Sequence, residues 1–224
     1  MLIYNKSRKD HVQHVDRVLK LLEEKQFYEK TSKCFFRVQE VEYLGHIVSH
    51  EGVKVYHNKI KSMKEWKIPT TIKQLRVFLG LTRYYHNIVK NYGRIATPLT
   101  TLLKKDAFSW TSEATKAFEH LKEAMCLASV LAMPDFTKTF IVECDALGNG
   151  IGVVLMQEGR PIAFESCEIK GKYLQKAIYE KEMLAILHAL KKWRTYLMGR
   201  HFKVKTDHDS LKHFLKQRLS SEEQ

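Results

Sequence analysis

The chain has 224 residues, 44% hydrophobic and 11% aromatic, which suits one large or two ordinary domains with real cores. Ten glycines and four prolines leave no low-complexity linker and exclude a disordered or fibrous chain. Lys and Arg outnumber Asp and Glu by 38 to 25 for a net charge of +13, and a folded basic chain usually has a polyanionic partner, of which nucleic acid is the commonest. The excess lies mostly in front, with 23 basic and 14 acidic residues before Phe136 against 15 and 11 from it onward. No apolar run approaches the ~20 residues that span a bilayer, and Met1-Leu2-Ile3-Tyr4-Asn5-Lys6 has no signal-peptide pattern. No membrane partner is expected. Cys34, Cys126, Cys144 and Cys167 form no CxxC pair, so they read as reduced thiols of an intracellular chain, cytoplasmic or nuclear.

In chain order, residues 7–25 predict an amphipathic helix. Ser7 and Asp10 are spaced as a capping box, and Val12, Val15, Leu19 and Leu22 recur at helical period. Short strands are expected around Phe27-Tyr28, Cys34-Phe35-Phe36, Val41 to Val48 and Val53 to Val55. Helices follow at Asn58 to Trp66, Thr71 to Asn91, Ala96 to Lys104 and Ser112 to Leu127. After Pro134 the pattern predicts strands at Phe140 to Cys144, Gly152 to Met156 and from Pro161 to Phe164. A long helix comes next, Tyr179 to Leu197, with Leu184, Leu187, Leu190 and Leu197 on one side. A strand at Phe202 to Thr206 and a short helix at Ser210 to Gln217 complete the series. The order β-β-β-α-β-α argues an α/β domain with a mixed sheet.

Three acids of this last block are candidates for chemistry. Asp145 ends the first strand, Glu182 lies in the first turns of the long helix, and Asp207 ends the fourth strand. If the two strands are neighbours and the helix packs over them, the carboxylates converge. Such a cluster repels itself unless cations neutralise it, which points to Mg²⁺. Three solvated acids at element ends is the plainer reading, and the pattern alone leaves it open. Gly148, Gly150 and Gly152 do not make a dinucleotide fingerprint, since its third glycine would fall at Val153; they read as a hairpin turn. On a helix over 71–91, Lys73, Arg76, Arg83, Asn87 and Lys90 share one face with Gly80. A basic stripe with a glycine admits a phosphate backbone, and a merely solvated face is the alternative.

Several stretches resemble the reverse transcriptases of gypsy-type LTR retrotransposons. Val41-Glu42-Tyr43-Leu44-Gly45-His46-Ile47-Val48-Ser49 resembles the strand closing their palm. Leu75-Arg76-Val77-Phe78-Leu79-Gly80-Leu81-Thr82-Arg83-Tyr84-Tyr85 resembles their thumb signature, followed by Pro98-Leu99-Thr100. Val142-Glu143-Cys144-Asp145-Ala146, Tyr179-Glu180-Lys181-Glu182-Met183-Leu184-Ala185 and Thr206-Asp207-His208 resemble their RNase H domain. The resemblance implies an α/β chain with a palm remnant at 1–56, thumb and connection helices at 57–133 and an incomplete RNase H-like mixed-sheet domain at 134–224. It implies cleavage of RNA in RNA–DNA hybrids, with Asp145, Glu182 and Asp207 as catalytic and Mg²⁺-binding carboxylates (Mn²⁺ also serving). Lys73, Arg76, Arg83 and Lys90 would hold nucleic acid, and full-length Pol or other retroelement proteins would be partners.

Relative to the family pattern, the chain starts just after the polymerase aspartates and stops before a fourth RNase H aspartate. Tyr56-His57 stands where Asp-Pro is usual, and Leu147 stands at a usual Ser. These departures imply no DNA synthesis and weakened cleavage. They also imply that the strand at 202–206 lies at an exposed sheet edge. The alternative function is a non-catalytic nucleic-acid-binding or domesticated interaction module.

Overall fold

The computed structural model describes residues 1–5, 7–147 and 150–206. The glycine turn at 148–149, the expected helix at Ser210 to Gln217 and Asp207 lie outside these.

Helix α1 (Arg8–Glu24) starts where its cap predicts, with Ser7 Oγ accepting from the Asp10 N–H. None of its residues is buried. The strands expected at Phe27-Tyr28 and Cys34-Phe36 do not form: the segment makes one 3₁₀ turn at Thr31–Lys33, and Tyr28 is 92% exposed. A strand needs a neighbour to take its backbone hydrogen bonds, and among the described residues none pairs with this segment.

Strands β1 (Glu40–Tyr43), β2 (His46–Ser49) and β3 (Gly52–Val55) form an antiparallel meander. Leu44 and Gly45 both have positive φ, as the tight turn between β1 and β2 requires. Beyond β3, Val53 and Leu131 exchange both backbone hydrogen bonds, at 2.8 and 2.9 Å. That approach needs Gly52 (φ +134°), because a Cβ there would lie 1.9 Å from the Leu131 carbonyl oxygen.

Four helices follow: α2 (His57–Lys64), α3 (Ile72–Tyr84), α4 (Tyr92–Thr101) and α5 (Ser112–Cys126). Thr71 Oγ1 caps α3 by accepting from Gln74 N–H, and Thr111 Oγ1 caps α5 by accepting from Ala114 N–H. The single helix expected over 71–91 is broken. The chain leaves α3 after Tyr84, makes a 3₁₀ turn at His86–Ile88 and reverses at Asn91, which is left-handed (φ +59°), a conformation Asn tolerates better than most residues. Tertiary contacts favour the break. Tyr85, Ile88 and Val89 are all buried, and the Tyr84 and Tyr85 hydroxyls donate to the Leu44 and Gly45 carbonyls at 2.7 and 2.9 Å. The next helix accordingly begins at Tyr92 rather than Ala96 and carries Pro98 inside it.

The second sheet has the order β6-β5-β4-β7. Strands β4 (Phe140–Leu147), β5 (Gly150–Gln157) and β6 (Arg160–Glu168) are antiparallel, and β7 (Phe202–Thr206) joins β4 in parallel. Among the described residues β7 is one edge of this sheet and β6 the other, and Val204 on β7 is 40% exposed. Between β6 and β7 run α6 (Ile178–Lys192) and α7 (Arg194–Leu197). Of the leucine stripe, Leu197 is buried and Leu184 and Leu190 pack against the core, whereas Leu187 is exposed. Ala185, Ala189 and Trp193 pack with Phe140, Val142 and Cys144 in the same core. A second core gathers Leu75, Phe78, Leu99, Phe118 and Leu121 from the helices and takes in Phe164 from β6.

Phe118 is fully buried, with its ring 4.6 Å from Phe78 and 6.0 Å from Trp110. Phe118→Ala should cost about 3–5 kcal/mol through reduced burial and the cavity left behind. The denaturant midpoint of the helical signal reads this, and a change under about 1 kcal/mol would contradict the packing.

Candidate functional site

The C-terminal ends of the parallel pair β4–β7 collect the polar side chains of the second half. Cys144 and Thr206 are register partners there, and Asp145, one residue on, lies opposite Gly152 of β5. Burial alternates along β4: Phe140, Val142 and Cys144 are buried in the core with α6, whereas Glu143 and Asp145 are not. Asp145 is exposed. Glu182 comes from the second turn of α6 and is only 2% exposed. Its Oε2 accepts a short hydrogen bond from Thr206 Oγ1. An ionised carboxylate taken out of water is costly unless hydrogen bonds compensate, so this bond helps fix Glu182 at the end of β7.

A cavity of about 250 Å³ lies beside Asp145, lined among others by Glu143, Glu165, Lys205, Lys90 and Asn91. Lys205 reaches across the parallel pair to Glu143 at 2.7 Å. Gly152 leaves room for Asn91, for a Cβ at 152 would sit 3.0 Å from Asn91 Oδ1. Burial pushes the Cys144 thiol up to about 12, with the charge of Glu182 adding to the shift. Cys144 therefore stays a neutral thiol near neutral pH, and Asp145 and Glu182 remain as hard oxygen donors of the kind Mg²⁺ takes. Asp145 and Glu182 thus come to the same end of the sheet from different elements, and Asp207 follows Thr206 outside the described residues. Among the described residues no group of three His, Cys, Asp or Glu could hold a metal.

Of the basic residues singled out by sequence, Lys73, Arg76 and Arg83 are exposed on α3 with the open Gly80 between them. Lys90 is not on that helix; the break at Tyr84 carries it to the turn before α4, where it lines the cavity beside Asp145. Sequence reasoning missed Thr206, Asn91 and Lys205. Adjacency to Asp207 was a signal for Thr206, whereas Asn91 and Lys205 depend on contacts between distant segments.

Glu165 joins three elements. It lies 2.5 Å from Lys192 of α6 and 3.7 Å from His86, in the turn after α3. Burial opposes its ionisation, but the neighbouring His86 and Lys192 outweigh this and hold the carboxyl down at about 2.

The fold is similar to that of part of a foamy viral reverse transcriptase. Two solved structures of the foamy viral protease–reverse transcriptase, one in complex with double-stranded DNA and one with an RNA/DNA hybrid, superpose with a TM-score of 0.82 at 24% identity. They cover 97% of this chain and 39% and 31% of theirs. Residues 110–204 match the family model of the RNase H-like domain found in reverse transcriptase. The curated relatives narrow the class. The chain is 38% identical over 214 residues to the retrovirus-related Pol polyprotein from transposon 297 of Drosophila melanogaster, covering 95% of this chain and 20% of that protein. It is 37% identical to the gypsy Pol polyprotein of the same fly, over 94% of this chain and 22% of that one. The Tf2-3 polyprotein of Schizosaccharomyces pombe is 34% identical over 94% and 16%. The curated relatives it resembles are thus Pol polyproteins of gypsy- and Tf2-like LTR retrotransposons, and the chain spans about a fifth of their length. No helix among the described residues is long and apolar enough to cross a membrane.

Because the Glu165 carboxyl is depressed in the folded state, its contribution to stability is present above its ordinary value of 4.5 and is lost as pH falls toward about 2. Glu165→Gln should flatten the fall in urea midpoint between these values. An unchanged acid limb in the variant would show that the cluster contributes nothing to it.

Proposed function

We propose that this chain carries an RNase H site that cleaves the RNA strand of an RNA–DNA hybrid, with Asp145, Glu182 and Asp207 as its carboxylates. The observation that carries the reading is Glu182, a buried acid held by the hydroxyl of Thr206, the residue before Asp207 and the register partner of the residue before Asp145. An acid so buried, at the end of a strand pair bearing two further acids in sequence, is costly as mere structure and useful as a cation ligand. The oxygen donors fit Mg²⁺ or Mn²⁺. Bound there, two such ions would supply an activated water and stabilise the leaving oxygen of a phosphodiester. The protein's own part is to orient Glu182 through Thr206, to present Asp145 at the cavity, and to hold the substrate backbone with the cations of α3 and with Lys90. The assignment of 1–56 to palm, 57–133 to thumb and connection and 134–224 to the RNase H-like domain is part of this reading, as is association with the rest of a Pol polyprotein.

In a labelled-hybrid assay with Mg²⁺, wild-type chain should release RNA fragments, and both Asp145→Asn and Glu182→Gln should abolish the release. Cleavage surviving Asp145→Asn would sink the assignment. A hybrid-binding module without chemistry is the second reading, favoured by the exposed Lys73, Arg76 and Arg83, which need no carboxylate. Hybrid binding without any cleavage by the wild-type chain would decide for it.

Binding should weaken steeply with salt, since phosphate contacts release counterions. Arg76→Ala with Arg83→Ala should reduce the salt slope by roughly 1–2. An unaltered slope would make the α3 stripe plain solvated surface.

A further inference from the structure

A larger cavity, about 580 Å³, opens between α4 and α5. Its polar lining is Lys90, Asn91, Arg94, Lys116 and His120, with Glu113 as the single acid; Ile95, Pro98 and Ala117 supply its apolar part. The sequence places these residues in phase. Arg94 and Pro98 are one turn apart on α4, and Glu113, Lys116 and His120 recur at three and four residues along α5, so each helix turns one stripe into the groove. Arg94, Lys116 and His120 are exposed. The Glu113 carboxyl is lowered by backbone and side-chain hydrogen bonds at the start of α5 and stays ionised, yet three fixed cations outnumber it.

Lys90 and Asn91 line this groove and also the cavity beside Asp145, so the two meet at that pair. The junction is built closely. Asn91 sits against Gly152, and Gly93, two residues on, donates its N–H to Ser166 Oγ at 2.6 Å. Arg94 on α4 and Lys116 on α5, with Lys90 in the turn before α4 shared with the carboxylate-bearing cavity, suit a polyanion that passes through both places.

We infer that the α4–α5 groove binds the sugar–phosphate backbone of a nucleic-acid strand whose continuation lies in the cavity beside Asp145, with Lys90, Arg94 and Lys116 as its phosphate contacts. This rests on the nucleic-acid function proposed above but assigns a separate surface, away from α3. The groove acts as a second holding point, fixing the strand some nucleotides away from the scissile bond. Phosphate contacts of this kind position a strand without reading its sequence.

The test is fluorescence anisotropy of the 224-residue chain against a labelled RNA–DNA hybrid, with single-stranded RNA and single-stranded DNA of the same sequence as further arms, over a range of salt. Arg94→Ala with Lys116→Ala should weaken binding of the hybrid about tenfold or more at low salt and lower the salt slope by about 2, since each side chain neutralises one phosphate. The control removes equal charge outside the groove, Lys104→Ala with Lys105→Ala, and should change the slope by much less. Circular dichroism of each variant checks that it is folded. If the two double variants behave alike while wild-type chain binds and cuts the hybrid, the groove is overturned and the RNase H site stands. If wild-type chain binds none of the three probes, both fall. Weakening confined to one single-stranded arm assigns the groove to that strand.

Discussion

Gly93 begins α4 against β6 with almost no room to spare. Its N–H reaches Ser166 Oγ, and any Cβ there would stand 3.0 Å from that oxygen and 3.1 Å from the Ser166 carbonyl. Gly152 makes the matching allowance on β5, where Asn91 occupies the space a side chain would fill. These two glycines let the helical block settle on the second sheet, and Phe164 extends the helical core into it. Glu165 ties the same strand to His86 on one side and Lys192 on the other. With the helices fixed in this way, Lys90 comes to the cavity beside Asp145 and the groove between α4 and α5 opens toward it. Without that docking, the basic front and the acidic end of the sheet would be unrelated features of one chain.

The acidic end has its own logic. Parallel pairing of β4 and β7 sets Cys144 level with Thr206, so that Asp145 on β4 and Glu182 on α6, held by Thr206, come to one end of the sheet. Glu182 is the expensive member. Burial to 2% exposure would favour its neutral form unless donors compensate, and Thr206 is one such donor. Cys144, buried beside it, is kept as a thiol. Asp145 is exposed. One carboxylate is thus held rigidly within the fold and another presented at the surface, a division of labour that suits a site where a substrate must approach one side.

What was legible in the sequence was local. Ser7 begins a helix as its spacing with Asp10 predicts, because its side chain accepts from a backbone N–H of the first turn. The alternation of Phe140, Val142 and Cys144 and the β-β-β-α-β order declare a sheet with a covered face. The motifs around Asp145, Glu182 and Arg76 declare the family, because their residue types and spacing survive without any knowledge of contacts. These the chain carries in itself.

Whatever depends on a distant partner was decided by tertiary structure alone. The helical period runs on through 85–91, but burial of Tyr85, Ile88 and Val89 and the hydroxyl bonds to Leu44 and Gly45 accompany the end of α3 at Tyr84. Phe27-Tyr28 and Cys34-Phe36 have strand-like composition and stay irregular, since no strand pairs with them among the described residues. The leucines of the long helix look like one core stripe, yet Leu187 faces solvent while Ala185 and Ala189 are fully buried against the sheet. Lys90 moves from a helix face to a cavity wall because the chain turns at Tyr84 to bury its neighbours. Sequence sets the energies of neighbours along the chain, and only the fold decides which distant groups become neighbours.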